Sequence, residues 1–233
     1  MILSGLPDKL PKNFDAALVK TQCAYKAYKD YGNIAEFYHG INANGKVFAI
    51  ISKIDGYVNL WAENKDREEL LEFLRFLSPL GIFTSSVTAE FLNLKITEEC
   101  LVFKIEPPYE KVFNNENKQP RELLNILRQG LSIPDGDGFV ADVTFRTLHG
   151  CSYFVTENDG GGLLFTGDTD AIINGIAVAK ENRSKGQGSR IIKLLLSLAQ
   201  SKNVYACCTE KNKEFYLKNG FSLIGKAAYC EEK

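Results

Sequence analysis

The residues best suited to chemistry lie together late in the chain, at Arg183-Ser-Lys-Gly-Gln-Gly-Ser189. Two glycines within a basic turn allow the backbone to approach a ligand closely. If a helix follows, the N–H groups of its first turn point outward and its dipole favours negative charge, which is what a diphosphate requires. Arg183, Lys185 and Arg190 add a local basic spot to a chain of formal net charge -1. Two familiar phosphate motifs do not fit. No Gly-Lys-Ser/Thr follows, as a P-loop needs, and Ile191 stands where a dinucleotide fingerprint places its third glycine.

The elements around this turn have the required order. Ala171-Ile-Ile-Asn-Gly-Ile-Ala-Val178 reads as a buried strand leading into it, and residues 189–201 read as a helix leaving it. That helix is apolar on most sides through Ile191, Ile192, Leu194, Leu195, Leu196 and Leu198, with Arg190, Lys193, Ser197 and Ser201 as a polar stripe. A helix of this kind packs on a sheet and holds its leading amides in place. Next come a short apolar strand, Val204-Tyr-Ala-Cys-Cys208, and the segment Asn212-Lys-Glu-Phe-Tyr-Leu-Lys-Asn-Gly-Phe221.

With both segments in view, the C-terminal half resembles the GNAT superfamily of acyl-CoA-dependent N-acetyltransferases. That family carries Arg/Gln-x-x-Gly-x-Gly/Ala after its fourth strand, matched by Arg183, Gly186 and Gly188. It carries Phe/Leu-Tyr-x-Lys-x-Gly-Phe after its fifth, matched by Phe215, Tyr216, Lys218, Gly220 and Phe221. The resemblance implies that acetyl-CoA is the acetyl donor. Backbone groups of Ile176, Ala177 and Val178 would pair with pantetheine. Arg183, Ser184, Lys185, Gly186, Gln187, Gly188 and Ser189 would hold the diphosphate. Asn212 would hydrogen-bond the pantetheine arm or cap the last helix, and Tyr216 would be the general acid for the departing thiolate. The family often places a carboxylate base on the fourth strand, where this chain has Asn174; Asp170 and Glu210 are the nearby carboxylates. The expected activity is transfer of an acetyl group to a small amine or a peptide amine. A non-catalytic acyl-CoA-binding regulatory module is the alternative.

At 233 residues the chain has room for one large domain or two small ones, and 45% hydrophobic residues suffice for a sizeable core. The near-neutral charge argues against nucleic acid or anionic membrane as a partner. The N-terminus lacks signal-peptide character and no apolar run reaches membrane-spanning length, so a cytoplasmic protein is expected. Six scattered cysteines (Cys23, Cys100, Cys151, Cys207, Cys208 and Cys230) contain no Cys-x-x-Cys pair and read as free thiols. With only His39 and His149, no metal site is expected. Oligomeric state and acceptor are not encoded in any legible motif.

The first half reads as α-β-β-β-α-β. A helix is expected from Asn13 to Tyr31, with strands at 35–39 and 46–51 around Asn44-Gly45, and another at 57–63. A helix capped by Asp66 with Glu69 three residues on is expected to end near Leu77, followed by strands at 81–85 and 100–105. Phe37, Tyr38, Phe48, Tyr57 and Trp61 form an aromatic set that core packing explains for the most part, the alternative being that some line an acceptor cleft between the halves. After a polar stretch at 107–120, helices are expected at 120–129 and 139–148, the valine and threonines of the latter also tolerating a strand. Strands follow at 151–156, 163–167 and 171–178, the first turn supplied by Asp159-Gly-Gly-Gly162. These elements make the expected fold class α/β (α+β), and the GNAT resemblance implies a mixed, mostly antiparallel sheet flanked by helices. It would be built as two GNAT-like halves, residues 1–113 without the cofactor motif and residues 114–233 with it.

Overall fold

A computed structural model describes residues 1–11, 15–112 and 119–231. The order is β1 (Ile2–Ser4), α1 (Ala16–Tyr28), β2 (Ala35–Ile41), β3 (Val47–Ile54), β4 (Tyr57–Ala62), α2 (Arg67–Leu77), β5 (Gly81–Ser85), α3 (Ser86–Leu92) and β6 (Lys95–Ile105). Then come α4 (Pro120–Leu127), α5 (Gly136–Leu148), β7 (Ser152–Glu157), β8 (Gly160–Thr166), β9 (Asp170–Val178), α6 (Gln187–Ala199), β10 (Asn203–Cys208), α7 (Lys213–Lys218) and β11 (Ser222–Glu231). The chain divides into two compact units. The first comprises residues 1–103, 207–213 and 223–233; the second comprises 104–206 and 214–222. The expected boundary at 113/114 falls in residues 113–118, outside those described, as do Asn13 and Phe14.

In the first unit the strand order is β1-β2-β3-β4-β5-β11-β6. Pairing is antiparallel from β1 to β4, parallel between β4 and β5, and antiparallel between β5 and β11. The core gathers Phe48, Ile51, Leu60, Leu70, Leu74 and Leu92. Of the aromatic set, Phe37, Phe48 and Trp61 are buried, while Tyr57 is exposed.

The second unit runs β10-β9-β8-β7. Here too an antiparallel meander, β7-β8-β9, is followed by a crossover helix, α6, and a parallel strand, β10. The meander β2-β3-β4 with α2 and β5 repeats this connectivity, so the fold consists of two GNAT-like halves of mixed, mostly antiparallel sheet with flanking helices. A parallel strand needs a crossover, and α2 and α6 supply one in each half. α6 is held by Ile191, Ile192, Leu194, Leu195, Leu196 and Ala199, all buried. Each fully buried Leu or Ile there contributes about 1.5–3 kcal/mol.

Several expectations change. Gly160, Gly161 and Gly162 are not the turn but the start of β8; the turn is made by Asn158 and Asp159, both at positive φ. A Cβ on Gly161 would lie 3.1 Å from Leu123 of α4, and one on Gly162 would lie 2.8 Å from Ile191 of α6. The glycines thus let helices approach both faces of the strand. Asp66 takes a left-handed conformation and caps nothing, so the expected capping box at α2 does not form. α3 was not expected, because Val87 and Thr88 are weak helix formers. It is capped by Ser85, whose hydroxyl accepts from the Thr88 N–H at 3.1 Å. β1 is a further strand beyond those expected, while β11 supplies the strand that the order α-α-β-β-β-α-β-α-β of the second half places last. The 139–148 pattern is helical, and α5 starts earlier, behind an Asp135 cap.

Candidate functional site

The site begins where β9 loses a neighbour. The parallel register between β10 and β9 ends at Ala206 opposite Ile173. On its other side β9 stays paired with β8, from Leu163 opposite Gly175 to Gly160 opposite Val178. Register slips between Leu163 and Leu164, so Asn174 sits at a bulge and is exposed. A bulge breaks pairing and turns a strand. From Asn174 to Val178 the edge of β9 that faced β10 is therefore without that strand. Ile176 and Val178 are half-buried there and Ala177 is buried.

β9 leads through a short 3₁₀ turn, Lys180–Asn182, into the basic loop. The loop is tied to the β7–β8 turn: Asn182 donates to the Asp159 carboxylate at 3.3 Å, and the Ala179 N–H to the Asp159 carbonyl at 2.9 Å. Ser184 lies at φ 61°, and Gly186, the N-cap of α6, at φ 85°. Gly186 brings no side chain to the helix terminus, and no side-chain cap is present. The first i→i−4 bond runs from Arg190 N–H to Gly186 carbonyl, 3.1 Å. The amides of Gln187, Gly188 and Ser189 thus head the helix without an intrahelical acceptor. A Cβ on Gly186 would meet nothing within 4 Å, so the space beside the N-cap is open. The helix starts two residues before Ser189, where the sequence reading began it.

The side chains of the loop divide the work. Arg183 does not point away from the strand: its Nε donates to the Val178 carbonyl at 3.0 Å, and its other nitrogen reaches the Gln129 carbonyl at 3.4 Å. It braces the loop against the end of β9. Gln187 donates to the Glu157 carbonyl, and Arg190 pairs with the Glu157 carboxylate at 3.1 Å. Lys185, exposed, has the neutral Asn182 oxygen at 3.4 Å. Glu157, Asn182 and Asp159 are supports that sequence reasoning missed, since nothing local marks them.

Gly188 connects the cradle to the second motif. A Cβ there would lie 2.9 Å from Phe215 Cε2. Phe215 of α7 stacks edge-on against Tyr216 at 5.3 Å between centroids, and Tyr216 against Phe221 at 5.4 Å. Tyr216 is 7% exposed. The loop residues 183–189, β9 and Tyr216 all belong to the second unit, whereas Asn212 belongs to the first, in the 3₁₀ turn Glu210–Asn212.

Neither carboxylate near the strand offers a ready base. Asp170 is buried rather than solvated. It accepts from Asn203 at 2.9 Å and from the Thr169 hydroxyl, and lies four residues before Asn174, roughly 13 Å along the strand. Glu210 is exposed and pairs with Lys213 at 3.2 Å. The two histidines bond backbone carbonyls, His39 that of Gly5 and His149 that of Phe145.

An open strand edge that runs toward a glycine-capped helix terminus is the arrangement the two motifs imply. Residues 138–223 match the family model for the acetyltransferase (GNAT) domain. The GNAT resemblance of the C-terminal half is thereby established. No curated protein matches the chain. Among solved structures, a GNAT-family acetyltransferase from Colwellia psychrerythraea aligns over 100% of both chains at 13% identity and TM-score 0.55. A GCN5-related N-acetyltransferase from Sphaerobacter thermophilus aligns over 98% of this chain and 94% of its own, at 11% identity and TM-score 0.55. A tandem GNAT protein from the clavulanic acid biosynthesis pathway covers 84% of this chain and 81% of its own, at 10% identity and TM-score 0.50. At these identities the likeness is one of fold. A GNAT acetyltransferase fold supports acyl-CoA-dependent acetyl transfer as a class of chemistry. No helix among the described residues is long and apolar enough to cross a membrane.

Proposed function

We propose that the protein is an N-acetyltransferase that takes the acetyl group of acetyl-CoA to a primary amine of a small molecule or peptide. The observation that carries this reading is the β9 edge from Asn174 to Val178, which leads into the open amides of Gln187, Gly188 and Ser189. An extended pantetheine arm suits a strand edge, with its amides meeting backbone groups of Ile176, Ala177 and Val178. The diphosphate suits a helix terminus, with Lys185 as the nearest mobile cation and Ser184 and Ser189 as hydroxyl donors. Arg183 and Gln187 hold the loop in shape, so little ordering is left for binding to cost.

In the reaction a neutral amine attacks the thioester carbon, the carbonyl oxygen takes up negative charge, and the C–S bond breaks. Tyr216 would give a proton or hydrogen bond to the leaving sulfur. Its ring, set between Phe215 and Phe221, has little rotational freedom, which suits a positioned donor. With Asp170 engaged by Asn203 and Thr169, the amine's proton would leave through water rather than to a strand carboxylate.

The alternative reading, an acyl-CoA-binding regulatory module, draws support from Asn174 at the position where a base is expected. Thiol release from acetyl-CoA in the presence of polyamines, amino acids and peptide N-termini separates them. Amine-dependent turnover is expected; binding without turnover across the whole panel would favour the regulatory module.

A further inference from the structure

A cavity of about 310 Å³ opens in the first unit, and acetyl transfer as proposed uses none of the residues that line it. The most buried side chain of its wall is Trp61 on β4, 5% exposed. Its indole packs with Leu18 of α1 and with Ile50, its register partner on β3. Leu10 and Val47, both half-buried, lie against the same cluster and extend the apolar wall. Lys9, Lys46 and Glu63 complete the lining with charge.

Positive charge is in excess there. Lys46 closes the β2–β3 turn, where the Asn42 side-chain oxygen accepts from the Asn44 and Lys46 amides at 3.0 Å each. From that fixed backbone the Lys46 ammonium reaches both oxygens of Glu63 at 3.0 Å. Lys65 stands 3.8 Å from the same carboxylate, so Glu63 is already neutralised. Lys9 is exposed and has no ion pair among the described residues. Lys46 is itself exposed, and a surface ion pair holds its members loosely, so its ammonium can turn to an incoming anion.

We propose that this cavity binds a small aromatic carboxylate, its ring against Trp61, Leu10 and Val47 and its acid group at the mouth between Lys9 and Lys46. Ligand cavities run from roughly 300 to 1,000 Å³, so this one suits a single ring with a short acidic arm. A planar ring gains from offset or edge-on contact with an indole beyond the apolar area it buries. Trp61 is already fixed by burial, so binding orders little that was free. The carboxylate stays partly hydrated beside two exposed ammonium groups, which form charge-assisted hydrogen bonds with it and spare it full burial. An amine in the same place would meet the excess of like charge.

Trp61 is the sole tryptophan of the chain, so its fluorescence reports on the cavity directly. The test is a fluorescence titration of the full chain, without acetyl-CoA, with phenylacetate, phenylethanol and phenylethylamine, which share a ring and a two-carbon arm and differ in the head group. A saturable change in tryptophan emission is expected with the acid, and affinities roughly tenfold weaker or worse for the alcohol and the amine. Lys9→Met, at an exposed position, is expected to weaken the acid roughly tenfold, the share of one charge-assisted hydrogen bond. Glu63→Gln removes only the competing negative charge and is expected not to weaken it. No saturable change at millimolar phenylacetate, equal or tighter binding of the alcohol or amine, or an unaltered affinity in Lys9→Met would each overturn the proposal. So would weakened binding in Glu63→Gln. With no acetyl-CoA present, such a failure leaves the acetyl-transfer reading untouched.

Discussion

Tyr216 and the two glycines of the cradle separate chemistry from binding most cleanly. With its ring buried between Phe215 and Phe221, Tyr216→Phe removes one oxygen and little packing. Turnover is expected to fall about 10²-fold, the usual share of a positioned proton donor, with acetyl-CoA affinity almost unchanged. Steady-state kinetics beside a binding isotherm check this, and equal turnover would remove the acid assignment. Gly186→Ala places a Cβ in open space but at φ 85°, so the cost is conformational, about 1–2 kcal/mol. Acetyl-CoA affinity is expected to drop about fivefold or more as the amides tilt. Gly188→Ala acts differently, because its Cβ would press on Phe215 at 2.9 Å. It is expected to disturb Tyr216 as well, lowering turnover and affinity together. The motif residues were legible because glycine, arginine and tyrosine at fixed spacing are visible in one dimension. Glu157, Asn182 and Asp159 were not, since they reach the loop from β7 and from turns that only the fold brings near.

Elements with strong periodicity were also legible: α6, with its near-continuous apolar surface, and β9 both lie where residue types place them. The departures have local causes. Three glycines read as a turn, yet they form a strand that two helices must approach. Asp66 has the right side chain for a cap and the wrong backbone conformation, whereas Asp15, which caps α1, accepts from Leu18 N–H at 2.9 Å. Burial raises the Asp15 carboxyl from 3.8 to about 6, against the lowering effect of the Leu18 and Ala17 amides. A carboxyl raised on folding binds its proton more tightly in the folded state. Its contribution is therefore fully present below about pH 4 and is lost as pH rises toward 6. Asp15→Asn keeps an amide-accepting oxygen and cannot ionise. It is expected to remove that loss, gaining at most about 2–3 kcal/mol at pH 7 relative to wild type, as measured by urea unfolding at pH 4 and 7. A wild-type stability that rises between those pH values, with no difference from the variant, would contradict this. In α6, Leu195→Ala at a fully buried position is expected to cost about 2–5 kcal/mol.

At the scale of the whole molecule, the repeated connectivity β-β-β-α-β was partly visible, because each half shows the same alternation of strands and helix. The division into units was not, since β11 closes the chain yet belongs, from Leu223, to the first unit between β5 and β6. The halves differ at the equivalent crossover. α6 opens on Gly186 with basic neighbours, whereas α2 opens on Asp66 with Glu68 and Glu69 in its first turn, and acidic side chains repel a diphosphate. One coenzyme per chain is therefore expected. The direct measurement is calorimetric titration of the full chain with acetyl-CoA, in parallel with Gly186→Ala. The account predicts heat of binding with a stoichiometry of one per chain, weakened in the variant. No heat at millimolar acetyl-CoA, or wild-type affinity in Gly186→Ala, would contradict it.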